Sequence, residues 1–314
     1  MQPPSSNTQP RAYSAAHFGL ELDGNHKTVG LFRSIEGGGV SAEVMSYQHG
    51  ANYDVWRQLG KPKFEDFKIQ VGMAMSKPFY DWMEDFFAGR PTRKNGAIVA
   101  ADFYYAERAR REFSEALISA IDFPKLDATD KNAAYMTVTV SPEKMVFTPG
   151  KGQKLELSVD DTAAKLWTCC NFRLAMDGLD ASLKRVTKID GFSIKQKIIE
   201  YHHGGRREPV KVPSRVEWPN LVFYVPEVDA GPIIDEFMKH AADGNPQGAA
   251  DQRNGHIETF DHSGKALFNV ILHGIQLKSA SPDKSDANSE EIKQVKFEVS
   301  IEKMEFEYLR LEME

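Results

Sequence analysis

Cysteine is nearly absent from this sequence of 314 residues, in which Cys169 and Cys170 are the only two. Because adjacent cysteines form only a strained disulfide with each other, a disulfide scaffold is excluded and both thiols are expected to stay reduced. The chain also lacks an apolar run approaching the roughly 18 residues of a membrane-spanning helix, and it has no signal-peptide core. These absences predict a soluble, intracellular protein with no membrane partner.

An excess of positive charge is missing as well. The net charge is −6, residues 1–157 carry 19 basic and 19 acidic side chains, and the whole deficit lies in residues 158–314. The segment from Asp283 to Glu314 alone contains 10 acidic and 5 basic residues. A groove that grips nucleic acid needs clustered positive charge, so this kind of binding is not expected. A channel through which DNA passes without being held remains compatible with this balance.

The spacings that catalytic and metal sites need are also lacking. His202 and His203 are adjacent, so in a strand they point to opposite faces, and the other histidines show no HxH or HxxxH spacing. The triple glycine at Gly37 is not followed by Gly-Lys-Ser/Thr, and no Gly-x-Ser-x-Gly elbow occurs. A dispersed Ser-His-Asp set stays open at this level. We predict no catalytic residue, no cofactor and no metal, so that the protein is not an enzyme.

What the sequence does contain is a long internal repeat. FGLELDG begins at Phe18 and returns as FRLAMDG at Phe172, a spacing of 154 residues, while the Asn-Gly pair at Asn95 returns at Asn254, a spacing of 159. An insertion of five residues near Gly244 explains the change in spacing, and insertions fall in loops. A repeat of this length is far longer than a solenoid unit, so it predicts two whole domains.

Both copies show the same local patterns. Alternating apolar residues predict strands, including the last strand of each copy, which begins near Met136 and near Phe297. One amphipathic helix is predicted after Pro78 and one after Pro232, ended by Gly89 and Gly244. Residues 104–111 are more helical in character than their counterparts. The predicted fold is therefore mainly β (α+β): two tandem β-sandwich or half-barrel domains, each with one amphipathic helix and a long polar loop.

The domain boundaries follow from the repeat and from composition. The predicted parts are a flexible N-terminal arm over 1–15, a first domain over 16–150, a linker over 151–170 and a second domain over 171–314.

The order of the motifs resembles the tail tube proteins of contractile phage tails. That order is an FxLxxDG strand, a strand preceded by glycine, a loop opening on Tyr-x-x-Gly, a helix begun by proline, an Asn-Gly turn and a terminal alternating strand. The resemblance covers residues 16–147 and 171–306. It implies the fold of the type VI secretion tube protein, in which six domains close into a ring with a continuous β-barrel wall and rings stack through the long loop. Three tandem chains would supply six such domains.

The resemblance also assigns roles to residues. It implies that the loops at 46–63 and 200–215 stack the rings, and the residues assigned to them are Tyr47, His49, Gly50, Trp56, Arg57, Lys61, Tyr201, His203, Gly204, Gly205, Arg206, Arg207 and Lys211. The polar positions of the terminal strands are expected to face the lumen, namely Thr137, Thr139, Lys296 and Glu298.

The expected function is that of a structural subunit of an inner tail tube in a phage or a related injection machine. Its expected partners are further copies of itself in trimeric rings, sheath and baseplate proteins, and DNA or an effector that passes through the lumen. The expected location is the virion tail, or the host cytoplasm during assembly. A ring that starts the tube at the baseplate, and a soluble two-domain binding module, remain as alternatives.

Overall fold

A computed structural model describes residues 14–24, 27–48, 55–157, 167–206, 208–241, 252–283 and 292–309. The first half of the chain contains β1 (His17–Leu22), β2 (Lys27–Thr28), β3 (Gly30–Phe32), β4 (Ser34–Gly37), β5 (Val40–Gln48), β6 (Val55–Phe64), β7 (Phe67–Val71), α1 (Lys77–Phe87), β8 (Lys94–Ala101), β9 (Glu107–Phe123), β10 (Leu126–Asp127), β11 (Met136–Ser141), β12 (Lys144–Pro149) and β13 (Glu156–Leu157).

The second half repeats the main elements in the same order. It contains β14 (Phe172–Met176), α2 (Asp180–Leu183), β15 (Lys188–Ile189), β16 (Phe192–Tyr201), β17 (Val210–Glu217), β18 (Leu221–Pro226), α3 (Glu227–Ala241), β19 (Arg253–Phe260), β20 (Ala266–Pro282), β21 (Gln294–Ser300) and β22 (Lys303–Tyr308). The predicted mainly β fold is confirmed.

The two halves also pair their strands in the same order. The first sheet contains the path β1-β8-β9-β11-β7-β4, and the second contains β14-β19-β20-β21-β18-β15. The 17-residue strands β9 and β20 form the centre of each half, because each also pairs with the last strand of its half, β12 or β22. Each long strand therefore runs through two layers of its sandwich. Alternation in the sequence predicted the neighbouring strands β11 and β21, because one face of each is core.

The helix of the first half follows its sequence signals. Pro78 lies in the first turn of α1, where an N–H would have no partner, and Gly89 takes a φ of +69° just after the helix. Its apolar face buries Tyr80 and Trp82. In the second half the prediction of the helix start was wrong. The helix α3 begins at Glu227 and contains Pro232 in its interior, whereas the predicted end at Gly244 lies outside the described residues.

Two loop predictions were also wrong. The polar stretches 46–63 and 200–215 are mostly antiparallel hairpins, formed by β5 with β6 and by β16 with β17. Apolar alternation at Val40, Ala42 and Val44 predicted only the start of the first hairpin, and the mostly exposed strand residues beyond it were taken for a loop. Residues 104–111 form a tight turn and the start of β9, not a helix. The carboxylate of Asp102 accepts backbone N–H bonds from Tyr104 and Ala106 and so holds this turn.

The predicted linker and arm are described only in part. Within 151–170, β13 pairs in parallel with β2, Trp167 is buried, and residues 158–166 lie outside the described residues. Residues 1–13 of the predicted arm also lie outside them. The buried hydrophobic side chains of both halves form one cluster. The two halves therefore share a core, and the predicted domain boundaries remain a prediction.

Candidate assembly interface

The second half adds a strand to the sheet of the first half. Strand β16 pairs antiparallel with the end of β9, with Ile194 opposite Ile121 and Lys195 opposite Ala120. Both isoleucines are fully buried, and the rings of Phe192 and Phe123 stack with their centroids 4.8 Å apart. Backbone pairing of this kind satisfies the edge of a sheet that would otherwise expose its N–H and C=O groups. We call the contact between the two halves the junction.

A buried polar site forms the second part of the junction. The side chain of Lys211, 3% exposed, donates hydrogen bonds to Ser141 Oγ at 2.8 Å and to Asp66 Oδ1 at 3.2 Å. The backbone N–H of Lys211 donates to Glu143 Oε1 at 2.9 Å, and the guanidinium of Arg93 binds the same carboxylate oxygen at 2.6 Å. A buried charge is tolerated only when it is paired in this way. These five residues are the junction polar site.

An aromatic contact forms the third part of the junction. The ring of Tyr80 in α1 stacks on Tyr308 of the second half with centroids 3.9 Å apart, and Phe306 lies 5.7 Å from Phe87. Burial raises the pKa of the Tyr80 hydroxyl. The backbone N–H of Tyr308 also points to Glu84 Oε1 at 3.5 Å. Helix α1 therefore binds the last strand of the other half.

The hairpin of the first half is not joined to a sheet in this way. Among the described strands, β5 and β6 pair only with each other and form a separate two-stranded sheet. Val40, Val44 and Leu59 on this hairpin are 53%, 59% and 65% exposed. Such an accumulation of exposed apolar residues is typical of a surface that contacts another protein. We call this hairpin, residues 40–48 and 55–64, the free hairpin.

The residues assigned to the first stacking loop lie on the free hairpin. Tyr47 and Trp56 are paired across its outer end, 49% and 59% exposed, with ring centroids 6.4 Å apart. Arg57 and Lys61 are exposed on β6. His49 and Gly50 lie outside the described residues.

The second set is divided between two places. Tyr201 is 59% exposed near His203, whose ring Nδ1 accepts the N–H of Gly205 at 3.3 Å. Gly204 is exposed, and Arg206 reaches Glu143 Oε2 at 3.7 Å, while Arg207 lies outside the described residues.

Lys211 does not belong with these exposed residues. The prediction that Lys211 lies on a surface loop was wrong, because its ammonium group is buried in the junction polar site. The other members of that site, Glu143, Asp66, Ser141 and Arg93, were not recognised from the sequence. The signal that points to two of them is the repeat itself, because Glu143 and Ser141 return as Glu302 and Ser300 at the spacing of 159 residues.

The residues expected to face a lumen lie on the non-core face of the sheets. A row of paired residues crosses five strands and passes from the first half into the second: Ser34, Gln70, Thr137, Asp122 and Ser193. The neighbouring row contains Glu36, Lys68, Thr139, Ala120, Lys195 and Glu217. Thr139 is 8% exposed despite its position on this face. The two rows together carry three acidic and two basic side chains, so neither sign dominates.

In the second half the same face carries Lys296 and Glu298. Lys296 is paired with Tyr224, and Glu298 with Val222. Hydrogen bonds from Lys278 at 2.7 Å and from Asn220 at 2.7 Å lower the pKa of the Glu298 carboxyl. This carboxylate therefore stays ionised, with a cation beside it.

No group of three or more His, Cys, Asp or Glu side chains suitable for a metal occurs in the part of the chain that the structure describes. Both cysteines are free, and burial raises the pKa of the Cys169 thiol. Across the described ranges, no helix has the length and apolar character needed to cross a membrane.

The fold and the junction define a class: a β-sandwich protein whose units join by adding a hairpin to the sheet of the neighbouring unit. Residues 14–146 match the family of T4-like virus tail tube protein gp19. The resemblance to phage tail tube proteins is thereby confirmed for the first half of the chain. No curated protein matches the chain in sequence.

Several solved structures resemble part of the chain. A chain of an extracellular contractile injection system, from a PVC sheath-tube complex in the extended state, is 16% identical with a TM-score of 0.38, covering 44% of this chain and 92% of that one. A chain of the anti-feeding prophage cap is 15% identical with a TM-score of 0.40, covering 46% and 97%. A chain of the anti-feeding prophage baseplate is 14% identical with a TM-score of 0.35, covering 45% and 93%.

Proposed function

We propose that this protein is a ring-forming subunit of the inner tube of a contractile phage tail or related injection machine. Three chains supply six units, the units close into one wall, and the rings stack into a tube with a central channel. The observation that carries the proposal is the junction. One chain already joins two units through paired strands, and the unit at 14–146 matches the tail tube family.

The polar face of the joined sheets supports a channel. The row from Ser34 to Ser193 continues across the junction without a break in pairing, so a wall built from further units presents a polar surface on one side. This surface has little net charge, because the charged residues of the two rows sum to one negative charge: Lys68, Lys195, Glu36, Asp122 and Glu217. A duplex or an effector would pass such a wall without binding it firmly, because affinity for DNA needs an excess of cations.

The outer ends of the hairpins support stacking. Tyr47 and Trp56 at one end, and Tyr201 near His203 at the other, expose aromatic rings beyond the wall. Aromatic residues of this kind are enriched in the energetically important centres of protein interfaces. We assign them to the contact with the next ring. Sheath proteins, baseplate proteins and the passing cargo are the other proposed partners, in the virion tail or during assembly in the host cytoplasm.

The test is the size and shape of the purified full-length chain. Native mass spectrometry is expected to find an assembly of three chains, and negative-stain microscopy is expected to show rings with six lobes and stacks of these rings. Rings that never stack would favour a protein that starts the tube at the baseplate. A monomer under all conditions would contradict the proposal and favour a two-domain binding module.

A further inference from the structure

We call the hairpin β16–β17 the seated hairpin, because it is paired with β9. The free hairpin and the seated hairpin correspond residue by residue. Tyr47 opposite Trp56 corresponds to Tyr201 opposite Val210, and the irregularity between Ala42 and Val44 returns between Gln196 and Ile198. The two hairpins are therefore the same shape, bulge included, at the spacing of 154 residues. One of them is seated on a sheet edge and the other is not.

The sheet edges that could receive a hairpin are copies as well. Val140 opposite Ile118 corresponds to Val299 opposite Leu277, and each pair adjoins a bulge at the same place. The edge of β9 that receives β16 therefore returns in β20. Beyond Ile275, β20 pairs with β21 on one side, and among the described strands nothing pairs with its other side.

The exposed fractions of the side chains agree with the edge of β9 being paired and the edge of β20 being unpaired among the described strands. Ile194 in the seated hairpin is 0% exposed, whereas its counterpart Val40 is 53% exposed. On the receiving strands, Phe123 is 6% exposed and its counterpart Pro282 is exposed. Pairing of the free hairpin with this edge would bury Val40 and Pro282, as Ile194 and Phe123 are buried in the first pair.

The junction polar site and its counterpart in the second half carry the same net charge when the residues of the hairpins are not counted. The junction polar site without Lys211 contains two carboxylates, Glu143 and Asp66, and one cation, Arg93, which gives one net negative charge. The counterpart positions are occupied by Glu302, Asn220 and Gln252, and they also give one net negative charge.

The geometry of the second site follows that of the first. Gln252 Nε2 donates to Glu302 Oε1 at 2.6 Å, the same length as the bond from Arg93 to Glu143. The cation that neutralises the first site is Lys211, and its counterpart on the free hairpin is Arg57. Glu143 is 6% exposed under its hairpin, whereas Glu302 is exposed. The second site thus lacks only a hairpin that carries a cation at the position of Arg57.

The contact between strand β22 and helix α1 also has counterpart residues in β12 and α3, and both members of the pair differ together. Where the N–H of Tyr308 points to Glu84, the counterparts are Pro149 and Met238, which have neither the donor nor the acceptor. Phe147, the counterpart of Phe306, is 50% exposed, and Met238 is 49% exposed. A polar contact has been replaced on both sides by an apolar one, which keeps the two surfaces complementary.

From these observations we propose that the free hairpin of one chain adds to β20 of a second copy of this chain, in the register of the junction. Gly39 then lies opposite Ser281, Val40 opposite Ala280 and Ser41 opposite Ser279, and the pairing ends at Pro282, which has no N–H to donate. Arg57 enters the site formed by Glu302, Ser300, Asn220 and Gln252. The proposal rests on the ring of the proposed function, and it names the residues that close that ring.

Engineered disulfides test the register. Ser41→Cys with Ser279→Cys is expected to link neighbouring chains on oxidation, because opposite residues on paired strands have Cβ atoms about 4.5–5.5 Å apart. Denaturing electrophoresis should then show covalent species of two and three chains. The matched control is Lys195→Cys with Ala120→Cys, the counterpart pair inside one chain, which should form its disulfide without an increase in mass.

Charge reversal tests the polar site. Arg57→Glu is expected to raise the concentration needed for half-maximal ring assembly at least tenfold, and Glu302→Lys to do the same, while the double variant recovers part of the loss. Lys61→Glu is the matched control: its counterpart Arg215 is exposed on the seated hairpin, so assembly should not change. Circular dichroism of each variant verifies that the chain is folded.

The possible failures are distinguishable. If the wild-type chain forms three-chain rings but Ser41→Cys and Ser279→Cys give no interchain link while the control pair oxidises, this register is wrong and the proposed function stands. Normal assembly of Arg57→Glu would likewise overturn the assignment of Arg57. If the wild-type chain forms no ring at all, the proposed function itself fails.

Discussion

Single residues show how the same bend is made twice with different amino acids. The long strand of each half bends where the backbone enters the left-handed region, at Glu115 with a φ of +52° and at its counterpart Gly274 with a φ of +63°. An L-residue in this region is strained by about 1–2 kcal/mol, and glycine is not. A Cβ at Gly274 would also lie 2.7 Å from the side-chain carbons of Glu302. The bend is therefore more costly in the first half.

Opposite substitutions at these two positions are expected to have opposite effects. Gly274→Ala should lower the free energy of unfolding by about 1–2 kcal/mol, from strain and the contact with Glu302. Glu115→Gly should leave it unchanged or raise it by up to about 1 kcal/mol, because relief of strain is offset by the greater entropy of glycine in the unfolded chain. Urea denaturation measures both. A loss of similar size in both variants would contradict this explanation of the bend.

Asp127 provides a second prediction for a single residue. Lys125 at 2.7 Å and the hydroxyl and N–H of Thr129 lower the pKa of this carboxyl to about 2. Because the pKa is lower in the folded chain, its stabilising contribution is present above a pH of about 4, the unfolded value, and is lost as the pH falls towards 2. NMR titration of the carboxyl should give the lowered value. Thr129→Val should raise it, and a midpoint near 4 in the wild type would contradict the assignment.

The hairpins are the elements that differ most between the two halves. Their strands, bulges and pairing are alike, but one hairpin is seated on a sheet of its own chain and the other is not. In the proposed ring the base of each hairpin belongs to the wall, and the outer end extends beyond the buried part, with Tyr47 and Tyr201 at corresponding positions. One element can therefore serve two contacts, one within a ring and one between rings.

Removal of the aromatic rings at the outer end should separate these two contacts. Tyr47→Ala together with Trp56→Ala is expected to shorten or abolish tubes and to leave three-chain rings intact, because both side chains are about half exposed or more within a chain. Ile292→Ala, which removes a side chain that is 71% exposed elsewhere, is the control. Tube lengths from electron micrographs measure the effect. Tubes of normal length would show that the outer end of this hairpin does not stack rings.

At the scale of the whole molecule, the proposed assembly depends on two kinds of contact with different responses to salt. The junction combines paired backbone, buried Ile194 and the buried Lys211, which solvent ions do not reach. Contacts between the outer ends of hairpins in successive rings would involve exposed side chains such as Arg206. Exposed pairs contribute only about 0.2–1 kcal/mol each and are screened by salt, whereas apolar burial is not weakened by it.

Raising the salt concentration from about 0.1 M to about 1 M, which shortens the Debye length from about 10 Å to about 3 Å, should therefore shorten tubes and preserve rings. Analytical ultracentrifugation at both concentrations measures the two populations. Dissociation of rings to single chains at high salt, with the chains still folded, would contradict the idea that paired strands and buried groups hold the ring together.

The sequence by itself determined the repeat, the mainly β class and the resemblance to tail tube proteins, because these depend on residue order and on alternation along single strands. It also identified α1 and α3, but not the four-residue helix α2, and the start of α3 at Glu227 was missed because Pro232 was taken for a first-turn residue. Only the tertiary structure decided that 46–63 and 200–215 are hairpins and that Lys211 is buried. The physical reason is that the pattern of a single edge strand does not show which strand it pairs with. Its partner, and the carboxylates that neutralise its cation, come from residues about 70 to 150 positions away, and only folding brings them together.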